Sequence, residues 1–154
     1  MNHFDENYRK RFEKLSSTNL SDAMDALGFR GFTFGIRPMQ EKWRKVVGPA
    51  VTMRMTAAGQ TPQKTHLGMN AIAAAQAGDV IVIDNAGRMD SSCWGGILAN
   101  SAKQKGVVAT LIDGCVRDLD DCIDVDYPVY ARGTVVCTAR GRVIEAGTNE
   151  LINR

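Results

Sequence analysis

The sequence predicts an α/β domain, and three observations carry that expectation. Val80-Ile81-Val82-Ile83 is a short unbroken apolar run, the pattern of a strand covered on both faces. Val107 to Ile112 is a second such run. Between them a helical stretch from about Trp94 to Lys103 ends at Gly106, so the three form a βαβ unit with parallel strands.

The remaining elements follow in chain order. Asp5 to Leu15 is charged, with Tyr8, Phe12 and Leu15 at helical spacing, and reads as a short amphipathic helix on the surface or on a partner subunit. Leu20, Ala23, Met24 and Leu27 repeat at i, i+3, i+4 and i+7, a helix whose apolar face belongs in the core. Ser17, Thr18 or Asn19 is its expected N-cap and Gly28 its left-handed stop. Gly28 to Pro38 reads as a structured loop, and Val46 to Met55 as a strand with Gly48-Pro49 near its start. Asn70 to Ala77 is helical and ends at Gly78. Beyond Asp84 the chain is expected to pass through Asn85-Ala86-Gly87 into the helix, and Asp113-Gly114 to turn it out of the second covered strand. Leu119 to Ile123 forms a brief helix. Val129 to Ala139, Arg140-Gly141-Arg142 and Val143 to Glu145 read as strand, turn and strand.

The length of 154 residues suits one domain, and 44% apolar with 23% charged residues suits a folded core. The net charge of +2 comes from 19 basic and 17 acidic residues mixed along the chain, so no broad field recruits nucleic acid or an anionic membrane. No stretch approaches the roughly 20 apolar residues of a membrane helix, and Met1 to Lys14 is too charged for a signal peptide, which points to the cytoplasm. Cys93, Cys115, Cys122 and Cys137 form no C-x-x-C pair, and with only His3 and His66 beside them they read as reduced structural thiols rather than zinc ligands.

Ligands of open α/β sheets collect beyond the carboxyl ends of strands, where loops meet helix N-termini. Two such ends occur. One is the loop from Asp84 to Gly96, whose Gly95-Gly96-Ile97-Leu98 opens a helix and lets an anion approach the backbone. The other is Asp113-Gly114-Cys115-Val116-Arg117-Asp118. Arg117 offers a planar fork for a carboxylate, and Asp118 offers hard oxygens for Mg²⁺ or Mn²⁺. An acid drawn in by Arg117 is repelled by Asp118 unless a divalent cation lies between the two carboxylates. The pair therefore predicts a metal-assisted site for a small 2-oxo acid, whose enolate a Lewis acid stabilises.

Structural readings stand beside these. Arg117 and Asp118 can be a surface ion pair with a helix-capping carboxylate, and Gly95-Gly96 can serve close helix-to-sheet packing. Asp120, Asp121, Asp124 and Asp126 read as a solvated acidic face, one of which can order a metal-bound water. His66 reads as a loop or core histidine, Cys115 as a packing residue, and Lys64 and Arg54 as surface or strand-edge charge. With no side-chain base evident, a metal-bound water is the expected proton carrier.

Several segments together resemble the RraA-like family, which includes class II 4-hydroxy-4-methyl-2-oxoglutarate and 4-carboxy-4-hydroxy-2-oxoadipate aldolases and the regulator of ribonuclease E activity. They are Leu20-Ser21-Asp22-Ala23, Gly35-Ile36-Arg37-Pro38-Met39, Val47-Gly48-Pro49-Ala50-Val51-Thr52, Gly78-Asp79-Val80-Ile81-Val82-Ile83-Asp84, Trp94-Gly95-Gly96-Ile97-Leu98-Ala99 and Ile112-Asp113-Gly114-Cys115-Val116-Arg117-Asp118. Their order and spacing, from about Phe12 to Gly133, are specific to the family though not to one activity in it.

The resemblance implies a layered α-β-β-α sandwich of the swivelling-domain type, a single domain assembled as a homotrimer or a hexamer with sites at subunit interfaces. It implies that Gly95, Gly96, Ile97 and Leu98 hold pyruvate through the backbone, that Arg117 binds its carboxylate and stabilises the enolate, and that Asp118 ligates Mg²⁺. The implied reaction is retro-aldol cleavage of a 4-hydroxy-2-oxo dicarboxylic acid, with oxaloacetate decarboxylation through the same enolate. A protein-binding regulator of a ribonuclease is the alternative the family offers; the methyltransferase label some relatives carry finds no glycine-rich S-adenosylmethionine loop here. Two departures bear on this. Aldolases often have an acidic residue where Gly96 stands, and the family usually continues beyond the equivalent of Leu151-Ile152-Asn153-Arg154 with strands and a carboxylate for a neighbour's metal shell, so the chain reads as shortened there or as lacking that group.

Overall fold

The computed structural model describes residues 4–42, 44–60 and 65–152; His3 and Lys64 lie outside them. Helix α1 (Glu6–Glu13) is capped by Asp5, whose carboxylate accepts from the Tyr8 amide at 2.9 Å. It is tied to the body by Arg9, which donates to the carbonyls of Gly78, at 3.1 Å, and Val47.

Helix α2 (Ser17–Ala26) starts one residue earlier than expected. Its cap is Ser16, not Ser17, Thr18 or Asn19, because Asn19 at the third position completes a reciprocal capping box with it. Gly28 does stop it, at φ +75°. The apolar face expected in the core is not there: α2 contributes no buried residue and Leu27 is 72% exposed. Helical spacing identifies an apolar stripe but not whether this chain covers it.

Six strands form one mixed sheet. They are β1 (Arg37–Pro38), β2 (Ala50–Ala57), β3 (Val80–Trp94), β4 (Ala109–Val116), β5 (Val129–Thr134) and β6 (Val143–Thr148), in the spatial order β1-β5-β4-β3-β2-β6. Helices α3 (Met69–Ala74), α4 (Gly96–Lys105) and α5 (Leu119–Asp124) lie between them in the chain. The four central strands are parallel and the two edge strands pair antiparallel. The β3-α4-β4 unit is the one the apolar runs foretell, and Gly106 ends α4 in a left-handed conformation.

Three expectations fail at strand ends. Asn85-Ala86-Gly87 does not lead into a helix: Ala86 and Gly87 adopt φ of +52° and +68°, the register beside β4 shifts, and β3 runs on to Trp94. This is a bulge with turn-like composition. Asp113-Gly114 likewise stays inside β4, which continues to Val116. β5 and β6 are not a hairpin, since β5 pairs with β4 and β1 while β6 pairs with β2 on the opposite side. The chain leaves the sheet after Thr134, where Val136 is 91% exposed despite its strand propensity.

Met53, Ile81, Ile83, Ile112, Val116 and Val129 fill the core, each at most 1% exposed. Trp94, at the carboxyl end of β3, stacks on Tyr127 with ring centroids 6.5 Å apart. Tyr127 Oη and Thr110 Oγ1 share a hydrogen bond of 2.8 Å. The floor beneath the ends of β3 and β4 is thereby fixed.

Candidate active site

Both strand ends singled out in the sequence converge here. β3 delivers Trp94 and Gly95 to the entrance of α4, β4 delivers Arg117 and Asp118 to the entrance of α5, and the Arg117 amide donates to the Trp94 carbonyl at 3.1 Å. Arg117 Nε lies 3.2 Å from Asp118 Oδ2, and both side chains keep about two-fifths of their surface exposed. They line a cleft of about 640 Å³ together with Gly95, Ile97 and Leu98.

Asp118 is the N-cap residue of α5 but makes no side-chain cap hydrogen bond, so its carboxylate is not spent on the helix. It sits at φ +51°, a left-handed conformation that is costly for a residue with a Cβ and that concentrates at functional sites. That backbone sets it beside Gly95, where an added Cβ would stand 2.9 Å from Asp118 Oδ2 and 3.3 Å from Arg117 Cγ.

The two glycines serve different ends. Gly95 is on the cleft wall, whereas Gly96 is buried against α5, where a Cβ would stand 2.5 Å from Asp121 Cβ. Close packing thus accounts for Gly96 as a side-chain-free position. Its amide still belongs to the first turn of α4, with those of Ile97 and Leu98, and no side chain caps that turn. Unpaired N–H groups at the entrance of a helix of this length suit an anion.

The cleft has walls that strand and helix patterns did not indicate. His66 and Thr65, ahead of α3, line it, as do Thr138 and Arg140 from the segment between β5 and β6. Ser92, paired with Cys115 in the ladder, holds that segment in place by donating from its amide and hydroxyl to the Cys137 carbonyl at 3.0 and 2.9 Å. Arg140 adds a second guanidinium, so Arg117, Arg140 and Asp118 leave the wall cationic. Cys93 also lines the cleft, but burial pushes its thiol far above the usual range, with Cys115 and Asp113 adding to the effect. Of the acidic face, Asp120, Asp121, Asp124 and Asp126 stay outside the cleft wall.

Among the described residues no three His, Cys, Asp or Glu side chains converge as a metal cage. One half-exposed, uncapped carboxylate on a cleft wall fits a hard cation that keeps several waters, which is how Mg²⁺ binds through one or two carboxylates; it does not fit a thiolate or imidazole metal.

A mixed sheet with this pair just past the end of β4 defines an α/β domain with a cleft at the carboxyl ends of its central strands. The chain belongs to the RraA-like family: the Aldolase/RraA family model matches residues 17–152. It is 31% identical over 140 residues to Protein DlpA of Legionella pneumophila, covering 91% of this chain and 23% of that protein. It is 30% identical to a Halalkalibacterium halodurans protein named "Putative 4-hydroxy-4-methyl-2-oxoglutarate aldolase", covering 84% of this chain and 58% of that one. The chain thus spans about a quarter of the first relative and somewhat over half of the second. Among solved structures, an uncharacterized protein from Pseudomonas syringae pv. tomato superposes with a TM-score of 0.79 at 30% identity, covering 94% of this chain and 66% of that one. Streptomyces coelicolor RraAS2, described as an unusual member of the RNase ES inhibitor RraA protein family, shares the fold with a TM-score of 0.82 at 22% identity, covering 94% of this chain and 71% of its own.

Proposed function

We propose that this protein cleaves a 4-hydroxy-2-oxo dicarboxylic acid to pyruvate and a second 2-oxo acid, dependent on Mg²⁺ or Mn²⁺, with oxaloacetate decarboxylation as a companion activity. The observation that carries the reading is the junction of Arg117, Asp118 and Gly95 on one cleft wall, beside the uncapped first turn of α4.

Arg117 takes the 2-oxo acid's carboxylate in its guanidinium fork and faces the negative charge that develops as the enolate forms. The backbone from Gly95 to Leu98 holds the remaining oxygens. Asp118 would hold the divalent cation, which supplies Lewis acidity toward a keto oxygen when bound. Arg140 matches the second carboxylate of a dianionic substrate and keeps the whole complex close to neutral. Buried Trp94 and Leu98 give the inner wall an apolar surface that limits water around the reacting carbons. The assembly in this reading is a cytoplasmic homotrimer or hexamer acting on a small molecule rather than on nucleic acid.

Incubation with 4-hydroxy-4-methyl-2-oxoglutarate or oxaloacetate tests it. Pyruvate release in Mg²⁺ that stops with EDTA is expected. Equal release in both conditions, or none from either acid, contradicts the reading.

A further inference from the structure

Retro-aldol cleavage requires a group that takes the proton of the 4-hydroxyl as the C3–C4 bond breaks and returns one to C3. Few side chains on the cleft wall can do this. Arg140 offers donors and no acceptor, Arg117 and Asp118 face each other, and the buried Cys93 thiol resists ionisation. Ser92 Oγ already donates to the Cys137 carbonyl, and a serine or threonine hydroxyl is no base near neutrality.

His66 differs from all of these. Its Nδ1 lies 3.0 Å from the Leu67 carbonyl oxygen, which can only accept, so the tautomer of the neutral ring that makes this contact has its proton on Nδ1 and its lone pair on Nε2. The ring is exposed, yet the two residues that follow it are held in place. Leu67 is buried, and the Gly68 amide donates to Glu145 Oε2 at 3.2 Å. Gly68 also backs onto the residues at the α4 entrance: a Cβ there would stand 3.1 Å from Leu98 Cδ1 and 3.4 Å from Trp94 Cζ3. The histidine loop therefore packs directly on the wall that holds the reacting acid.

We propose that His66 is a catalytic residue whose Nε2 accepts the 4-hydroxyl proton, an assignment that rests on the retro-aldol reading. As the O–H bond breaks, its electron pair forms the C4 carbonyl, and the C3–C4 pair passes to the pyruvate enolate facing Arg117. The His66 imidazolium then protonates C3, which completes pyruvate and restores the neutral ring. No oxidant or further reactant is needed.

The test compares wild type and H66Q, in Mg²⁺, on 4-hydroxy-4-methyl-2-oxoglutarate and on oxaloacetate. Oxaloacetate loses CO₂ from a carboxylate that is already ionised, so it has no hydroxyl proton to remove, and its enolate takes the C3 proton from solvent rather than from a ring charged by the substrate. Cleavage by H66Q is expected to fall about 100-fold or more in kcat with KM within about threefold, while decarboxylation stays within about tenfold of wild type. Thermal unfolding is expected to stay unchanged, and H66N, measured in parallel, to repeat the pattern if H66Q melts lower. Undiminished cleavage overturns the assignment, as does equal loss of both reactions. Wild type that turns over neither acid overturns the retro-aldol reading first and this role with it. A second readout needs no turnover. The chain has two histidines, so the His66 ring signal is identified in proton NMR by its absence from H66Q. It is expected to shift when pyruvate and Mg²⁺ are added, and an unmoved signal overturns the placement.

Discussion

Gly95 and Asp118 share one space: a Cβ on residue 95 would stand 2.9 Å from the Asp118 carboxylate oxygen. The entrances of α4 and α5 are thereby brought together, and the carboxylate that would hold a cation is placed beside amides that would hold an anion. Gly95 has φ −169°, so an alanine there meets crowding rather than backbone strain.

G95A is therefore expected to displace Asp118 while leaving the fold intact. The atom it meets is the far end of a side chain that can swing away. Pyruvate formation is expected to fall at least about tenfold, with stability within about 1 kcal/mol of wild type. Parallel assays and thermal unfolding check both halves.

G96A is expected to behave in the opposite way. Its Cβ would stand 2.5 Å from Asp121 Cβ, close to the backbone of α5, which cannot swing. A loss of about 1–3 kcal/mol in denaturant unfolding is expected, from overpacking.

Arg132 donates through Nε to the Asp113 carboxylate, which is 2% exposed, in the interior beneath the bulged part of β3. R132M removes the charge facing a buried carboxylate and is expected to destabilise the fold by about 2–4 kcal/mol. The partly exposed Arg117–Asp118 pair differs, and R117M is expected to change stability by no more than about 1 kcal/mol while abolishing most activity. Unfolding curves of the two variants make the comparison.

Alkaline stability should carry a mark of Cys122. Burial, ahead of the neighbouring Asp121 and Asp118 charges, pushes its thiol up from 9.0 to about 11. The raised value means the folded state favours the protonated thiol, a contribution fully present below the unfolded pKa near 9.0 and lost as pH rises toward about 11. The melting temperature is expected to fall between pH 8.5 and 11. In C122A that fall is expected to be shallower, since the titrating group is gone.

The parallel heart of the fold was legible because Val80–Ile83 and Val107–Ile112 are apolar without interruption and Gly106 stops the helix between them. Arg117 and Asp118 were legible as a pair because neighbours at a strand end share a loop in almost any α/β sheet. The bulge at Ala86-Gly87 was not, because the same residues that permit a turn permit a left-handed kink within a strand. β6 was misplaced because local alternation specifies a strand and not its partner, which here is β2, far upstream in the chain, in register at Met53↔Thr148 and its neighbours. His66 and Arg140 reach the cleft only through such long-range pairing, so nothing in their sequence neighbourhoods announced them. Gly96 reads in the sequence either as part of an anion cradle or as a close-packing position, and its packing partner Asp121 could be seen only once α5 was laid against α4.

Asp118 and Arg117 are expected to bring a divalent cation and a keto acid together on one cleft wall. Titration of Mn²⁺, followed by water proton relaxation with and without pyruvate, reads this directly. In wild type, pyruvate is expected to tighten Mn²⁺ binding, and in D118N that coupling is expected to vanish with most of the binding. Mn²⁺ bound equally well by wild type and D118N, with no response to pyruvate in either, would contradict the account.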